Sequence, residues 1–137
     1  MAGIFPNAEW LDSFKDYLNS SEKYAQIARK WEGDLLFDIA PSGALTERTL
    51  IYLDLWHGKC RDAYMVEEEE KEAAFILQAP FDNFVRVLLG EIDPMQAMMT
   101  RKLKVQGSMT YMMRNVPTVL EFVRSAQAVT DHYLGEE

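Results

Sequence analysis

From Asp34 to Ala79 the apolar residues of this chain alternate with polar ones, whereas on either side they recur at spacings of three and four. A period of two belongs to a pleated strand and a period near 3.6 to a helix. The two switches confine the chain to leading helices (1–32), four grouped strands (33–79) and a helical remainder (80–137). Strands grouped first and helices mostly after them mark the α+β class.

Within the strands, "DLLFDIA" puts Leu35, Phe37 and Ile39 on one side and Asp34 and Asp38 on the other. "TLIYLDLWH" puts Ile51, Leu53 and Leu55 on one face; its second face, Leu50, Tyr52, Asp54 and Trp56, is mixed. "RDAYMVE" and "AAFILQA" complete the four. "HGKC" (His57 to Cys60) and "EEEEKE" (Glu67 to Glu72) both read as turns. Two consecutive hairpins predict antiparallel pairing. A fifth strand is predicted at 102–107, with Leu103 and Val105 inward and Lys102, Lys104 and Gln106 outward. The simplest architecture is one largely antiparallel five-stranded sheet with helices on one face.

The helices carry their own punctuation. Asn7 is a cap for a first helix with Trp10, Leu11, Phe14, Tyr17 and Leu18 on one face. "NSSE" breaks and re-caps it, and Tyr24, Ile27, Ala28 and Trp31 continue the apolar face up to Gly33. Pro80 opens a helix with Phe81, Phe84, Val85 and Leu88 on one face, and Gly90 stops it. Asp93 and Ser108 cap two further helices. Asn115 caps the last, whose stripe is Val116, Val119, Leu120, Val123 and Ala126. The 137 residues hold no long linker or low-complexity segment, so one domain is expected.

Charge and cysteine content exclude several functions. A net charge of −8 disfavours nucleic acid as a partner and does not favour steering onto an anionic membrane. No apolar run approaches the ~18 residues of a membrane span. "MAGIFPNAEW" lacks the basic and apolar regions of a signal peptide, and Cys60 is the single cysteine. Both features suit a reducing, cytoplasmic setting. His57 and Cys60 are the obvious base–nucleophile pair, but no neighbouring motif supports a dyad, and a polar turn with an incidental cysteine is the plainer reading. Metal-ligand spacings and phosphate-binding loops are missing. No catalytic residue, metal or cofactor is expected, and the chain is not expected to be an enzyme.

Six of the eight methionines fall in two triplets, Met95/Met98/Met99 and Met109/Met112/Met113. Each has the spacing of one helical face. Such stripes ordinarily pack a core. Met is also flexible and polarizable, so the same stripe can form a deformable wall around a ligand.

Several stretches resemble one family. "GDLLFDI" (Gly33 to Ile39), "IYLDLWHGKC" (Ile51 to Cys60) and "FILQAPFDNFVRVLLGEIDP" (Phe75 to Pro94) come in order. The most telling is "AMMTRKLKVQGSM" (Ala97 to Met109), a helix followed by a Lys-rich strand ending in Gly-Ser-Met. Together they resemble the sterol carrier protein 2 domain, in a stand-alone prokaryotic form, from Gly33 to the end of the last helix. The resemblance implies an apolar cavity between sheet and helices. Its implied wall is Phe81, Phe84, Val85, Leu88, Met95, Met98, Met99, Met109, Met112, Met113, Val119, Leu120 and Val123. Its implied floor is drawn from Phe37, Leu53, Leu55, Ile76, Leu103 and Val105. The implied function is non-enzymatic binding or transfer of a fatty acid, acyl-CoA or sterol-like lipid, with a transient membrane or enzyme partner. The alternative is an interaction or scaffold module of an enzyme complex with a filled apolar core. The chain ends "LGEE" rather than in a peroxisomal address, and its acidity favours a lipid reservoir or a presenter of ligand to an enzyme over membrane shuttling.

Overall fold

Short polar side chains set the helix starts by accepting the orphan amides of a first turn. In the computed structural model, which describes residues 3–67 and 72–135, Asn7 Oδ1 accepts from the Trp10 amide at 2.8 Å and begins α1 (Ala8–Ser20). Ser21 Oγ accepts from the Tyr24 amide at 3.1 Å and begins α2 (Glu22–Ile27). The α2 helix stops well before Gly33, at an Ala28 C-cap. Gly33 serves packing instead of termination: a Cβ there would lie 2.7 Å from the Phe75 ring.

Five strands form the main sheet: β2 (Leu35–Ala40), β3 (Thr49–Trp56), β4 (Lys59–Val66), β5 (Phe75–Pro80) and β6 (Lys104–Gln106). Among the described residues after Pro80 lie four helices, α3 (Phe81–Leu88), α4 (Pro94–Met99), α5 (Met109–Arg114) and α6 (Val116–Ala128). A small parallel pair that sequence periodicity gave no sign of joins the ends of the chain, β1 (Ile4–Phe5) with β7 (His132–Tyr133). The β3–β4 hairpin forms as expected. His57 and Gly58 both have positive φ (49° and 80°), the requirement of a type I′ turn. A Cβ on Gly58 would meet the Ala25 carbonyl oxygen at 2.6 Å, so the turn sits directly against α2.

The second expected hairpin does not form. Strand order is β4-β3-β2-β5-β6, and β5 runs parallel to β2, from Leu35 opposite Phe75 to Ala40 opposite Pro80. The acidic connection therefore carries the chain past β3 and β2, and four of its residues, Glu68 to Lys71, lie outside the described residues. Period two assigns a strand's faces but not its neighbours, which is why the sequence could not reveal this crossover. The fifth strand is also shorter than expected, with Leu103 buried just ahead of it.

The helices share one core with one face of the sheet, where Leu35, Phe37, Ile39, Ile51, Leu53 and Leu55 point. The opposite face holds a smaller cluster of Leu36, Leu50 and Tyr52, with Ile76 and Ala73 against it. There the buried Asp38 accepts two bonds from Arg48, at 2.8 and 2.7 Å, and one from Gln78 Nε2 at 3.0 Å.

The α6 helix is rotated from its expected orientation. Thr118, Glu121, Phe122, Ser125 and Ala126 are its buried residues, while Val119, Leu120 and Val123 are half-buried. Its polar flank faces α2, while α1 meets it through Phe14, whose ring lies 5.0 Å from that of Phe122. Thr118 Oγ1 donates to the Ile27 carbonyl at 3.2 Å, and Glu121 pairs with Arg124 and with Lys23. Asn115 occupies the expected cap position, but its Nδ2 donates back to the Tyr111 carbonyl at 2.8 Å and closes α5 instead.

Candidate functional site

Between the sheet and the helices lies an apolar cavity of ≈ 70 Å³. Its floor comes from Leu35 and Phe37 of β2, Leu55 of β3 and Leu77 of β5, with Leu103 at the edge. Its half-buried lining residues, Leu77, Leu88, Pro94, Val119 and Val123, mark where it nears solvent. Four of these lie on α3, α4 and α6, so the shallow side is the seam between those helices.

The expected wall divides into three groups. Phe84, Leu88, Met98, Met112, Val119 and Val123 do line the cavity. Phe81, Val85, Met95 and Met109 pack in or against the same core without reaching it, Phe81 stacking on Phe5 at 5.9 Å. Met99 and Met113 point outward, 67% and 48% exposed, and Leu120 is half-buried beside the cavity but not in its lining. Each methionine triplet thus contributes one side chain. On a six-residue helix only a narrow arc can face inward, and the third member of each triplet falls beyond it. Of the expected floor, Phe37, Leu55 and Leu103 reach the cavity, Leu53 and Val105 share its core, and Ile76 points to the opposite face.

Five lining aromatics were absent from the expected set: Phe5, Trp10, Tyr24, Trp31 and Phe122. Trp10, Tyr24 and Trp31 sat on predicted apolar faces, but nothing in their spacing aims the leading helices at this space. Phe5 is placed by the β1–β7 pairing, with the Leu134 amide donating to its carbonyl at 3.0 Å. Val87 was also missed, one helical step from Phe84.

The indole nitrogens of the two lining tryptophans are engaged elsewhere. Trp10 Nε1 donates to Thr130 Oγ1 at 2.8 Å, and Trp31 Nε1 to the Gly33 carbonyl at 2.8 Å. Burial raises the Tyr24 phenol well above its ordinary range, so it stays neutral. No buried side-chain nitrogen or oxygen among the described residues lacks a partner. The cavity therefore offers a guest dispersion contacts and exclusion of water, and no charge. A polar head group would have to stay at the seam.

The His57–Cys60 pair is not assembled. His57 Nε2 lies 2.6 Å from a Glu32 carboxylate oxygen, and Cys60 Sγ donates to the Asp62 carbonyl at 3.4 Å. The thiol is 1% exposed, and burial is the main reason its pKa is pushed up to about 12. A thiolate forms only as the pH approaches that value, so the group is a poor nucleophile at neutral pH. An aromatic disulfide reagent at neutral pH should label Cys60 at least roughly a hundredfold more slowly in the folded chain than in denaturant. Rapid labelling of the folded chain would restore the case for a reactive cysteine.

The sequence matches the model of the SCP-2 sterol transfer family over residues 14–119, from within α1 to the first turns of α6. Among solved structures, a crystal structure of sterol carrier protein 2 is 32% identical, covering 88% of this chain and 95% of its own, with a TM-score of 0.80. A conserved hypothetical protein of Thermus thermophilus, described as possibly a sterol carrier protein, is 31% identical over 95% of this chain and 92% of its own, with a TM-score of 0.82. The apo form of sterol carrier protein 2 from Yarrowia lipolytica, 21% identical, shares the fold with a TM-score of 0.61, over 90% of this chain and 93% of its own. No match was found among curated proteins.

Proposed function

The chain belongs to the SCP-2 sterol transfer family, and from that premise we propose that it is a non-enzymatic carrier that buries the apolar part of a lipid between its sheet and its helices. One observation carries this reading: the interior space is lined almost wholly by apolar side chains, with Trp10, Trp31 and Thr118 bonded away from it and no charged group in the lining. A guest gains about 0.8 kcal/mol per CH₂ withdrawn from water, and nothing in the lining repels it. Of the ligands considered, a fatty acid or the acyl part of an acyl-CoA suits the space better than a sterol. The unliganded cavity, ≈ 70 Å³, is well below the ~300–1,000 Å³ of ordinary ligand pockets, so the walls must move to admit a guest. A flexible chain can enter a space that opens step by step, whereas a rigid ring system needs it all at once. Met98 and Met112 are the side chains best suited to yield.

The small volume is also what a scaffold module with a filled core would have, and this keeps the second reading in play. One experiment separates the two. The purified chain is denatured and extracted for lipid mass spectrometry, and the delipidated form is titrated with a fluorescent fatty acid. The carrier reading expects a co-purified lipid and a saturable signal. An empty extract with no saturation would sink it and favour the scaffold.

We extend the proposal to the whole chain as one lipid-binding unit working in the cytoplasm. No helix among the described residues is long and apolar enough to cross a membrane.

A further inference from the structure

The two ends of the cavity are held very differently. On α6 the lining runs from Thr118 to Ala126, about 12 Å along the helix axis. At the Thr118 end, where α6 meets the Ile27 carbonyl, stands Trp31, whose amide donates to the Ala28 carbonyl at 2.9 Å. Trp31 is pinned. Its Nε1 donates to the Gly33 carbonyl at 2.8 Å, and its ring lies 5.1 Å from that of Tyr111 and 5.4 Å from that of Phe75. Phe75 is itself wedged, because a Cβ on Gly33 or on Gly107 would lie 2.7 Å from its ring. At the Ala126 end stand Trp10, bonded to Thr130 just past α6, and Phe5. Phe5 is buried against the rings of Trp10, Phe81 and Phe84, at 4.9, 5.9 and 6.3 Å. Yet it is the lining residue carried on the shortest element. The β1 and β7 strands have two residues each, Ile4 beside His132 and Phe5 beside Tyr133. The Asp131 and His132 amides donate to the Gly3 carbonyl at 2.7 and 3.0 Å, and the Leu134 amide donates to that of Phe5. Both strands lie outside residues 14–119, the stretch matched to the family.

We propose that Phe5 is a displaceable stop: it closes one end of the cavity, and release of the β1–β7 pairing lengthens the cavity to take a long acyl chain. A short chain needs only the pliable Met98 and Met112 to yield. A longer one must gain room at an end. Trp31 gives way only by breaking a buried hydrogen bond and a packed aromatic cluster. Phe5 leaves by parting a two-residue pairing, whose backbone groups then bond water. The space it vacates is bounded by Trp10, Phe81 and Phe84, so an acyl chain entering there replaces one apolar contact with another. Parting the pairing costs free energy. The apparent affinity for a long chain is therefore the intrinsic affinity reduced by the fraction of molecules in which the pairing is released. This inference rests on the carrier reading and adds to it the residue that decides chain length.

The test locks the pairing with a disulfide. Ile4→Cys/His132→Cys puts two thiols on register partners of adjacent strands, about 4.8 Å apart and within reach of a bridge. Alternation along a strand turns both side chains away from Phe5, and Cys60 is buried out of the reaction. The delipidated variant is titrated with stearic acid and with octanoic acid, oxidised and then reduced, so that one protein serves as its own control. The oxidised form should bind stearic acid at least roughly tenfold more weakly than the reduced form, and octanoic acid within about twofold of it. In the unsubstituted chain, stearic acid should speed hydrogen exchange at the Asp131, His132 and Leu134 amides, the donors of the pairing. Equal stearic-acid affinities in the two states, or equal losses for both acids, would overturn the stop and leave the carrier reading standing. Slower exchange at those amides with stearic acid bound would do the same. No saturable binding of either acid, by the reduced variant or by the unsubstituted chain, would sink the carrier reading itself and the stop with it.

Discussion

Val123→Trp is expected to weaken fatty-acid binding roughly a thousandfold while the chain stays folded. Val123 lies on α6, half-buried, at the seam where the cavity comes nearest to solvent. An indole there can occupy the space without displacing the deeper Phe122, and its surplus bulk can lean outward. Excluding about five CH₂ groups from the cavity removes roughly 4 kcal/mol at ~0.8 each, which is the thousandfold stated. Leu120→Trp is the matched control. Leu120 is also half-buried on α6 but does not line the cavity, so binding should change little. Fluorescent fatty-acid titration of both variants, with thermal melts to confirm folding, checks the pair. Equal weakening in both would mean that the ligand does not occupy the cavity.

That contrast between Val123 and Leu120 also shows how far sequence could go. Both belong to the same apolar stripe, and spacing alone treats them alike. What separates them is the roll of α6, whose polar flank meets α2: Thr118 with the Ile27 carbonyl, and Glu121 with Lys23. An apolar-stripe argument cannot see a helix face buried through its polar residues. The methionine triplets fail similarly, since spacing placed three residues on one face and the arc facing inward admits one. Most caps were legible because a cap is local: Asn7, Asp93 and Ser108 accept first-turn amides, as does Ser21 within the "NSSE" break, whereas Asn115 makes no such bond. Strand faces were legible for the same reason, and Leu35, Phe37, Ile51, Leu53 and Leu55 all point to the helical side. Strand order was not, because the parallel β2–β5 pairing joins segments forty residues apart, with the β3–β4 hairpin between them in the chain.

Trp10→Ala is expected to be the most destabilising of these changes, by about 3–5 kcal/mol. Trp10 is 0% exposed, contacts Phe5 and Phe14 at ring separations of 4.9 and 5.2 Å, and lines the cavity. Its Nε1 joins α1 to Thr130, just beyond the end of α6. Thr130 Oγ1 also donates to the Ala126 carbonyl at 2.7 Å, so it keeps one partner when the indole goes. Most of the loss therefore comes from packing, and Trp10→Phe should lose only about 1 kcal/mol for the missing N–H bond. For a chain of this length the alanine variant should melt about 10–15 °C lower. The carrier reading adds a second expectation. Removing the indole enlarges the cavity, and an acyl chain can occupy part of the new space. A saturating fatty acid should then raise the melting temperature of Trp10→Ala by more than it raises that of the unsubstituted chain, because a ligand that binds only the folded state stabilises it in proportion to the logarithm of its affinity. Equal shifts would mean that the guest never reaches α1 and that the cavity beside Trp10 is ordinary core.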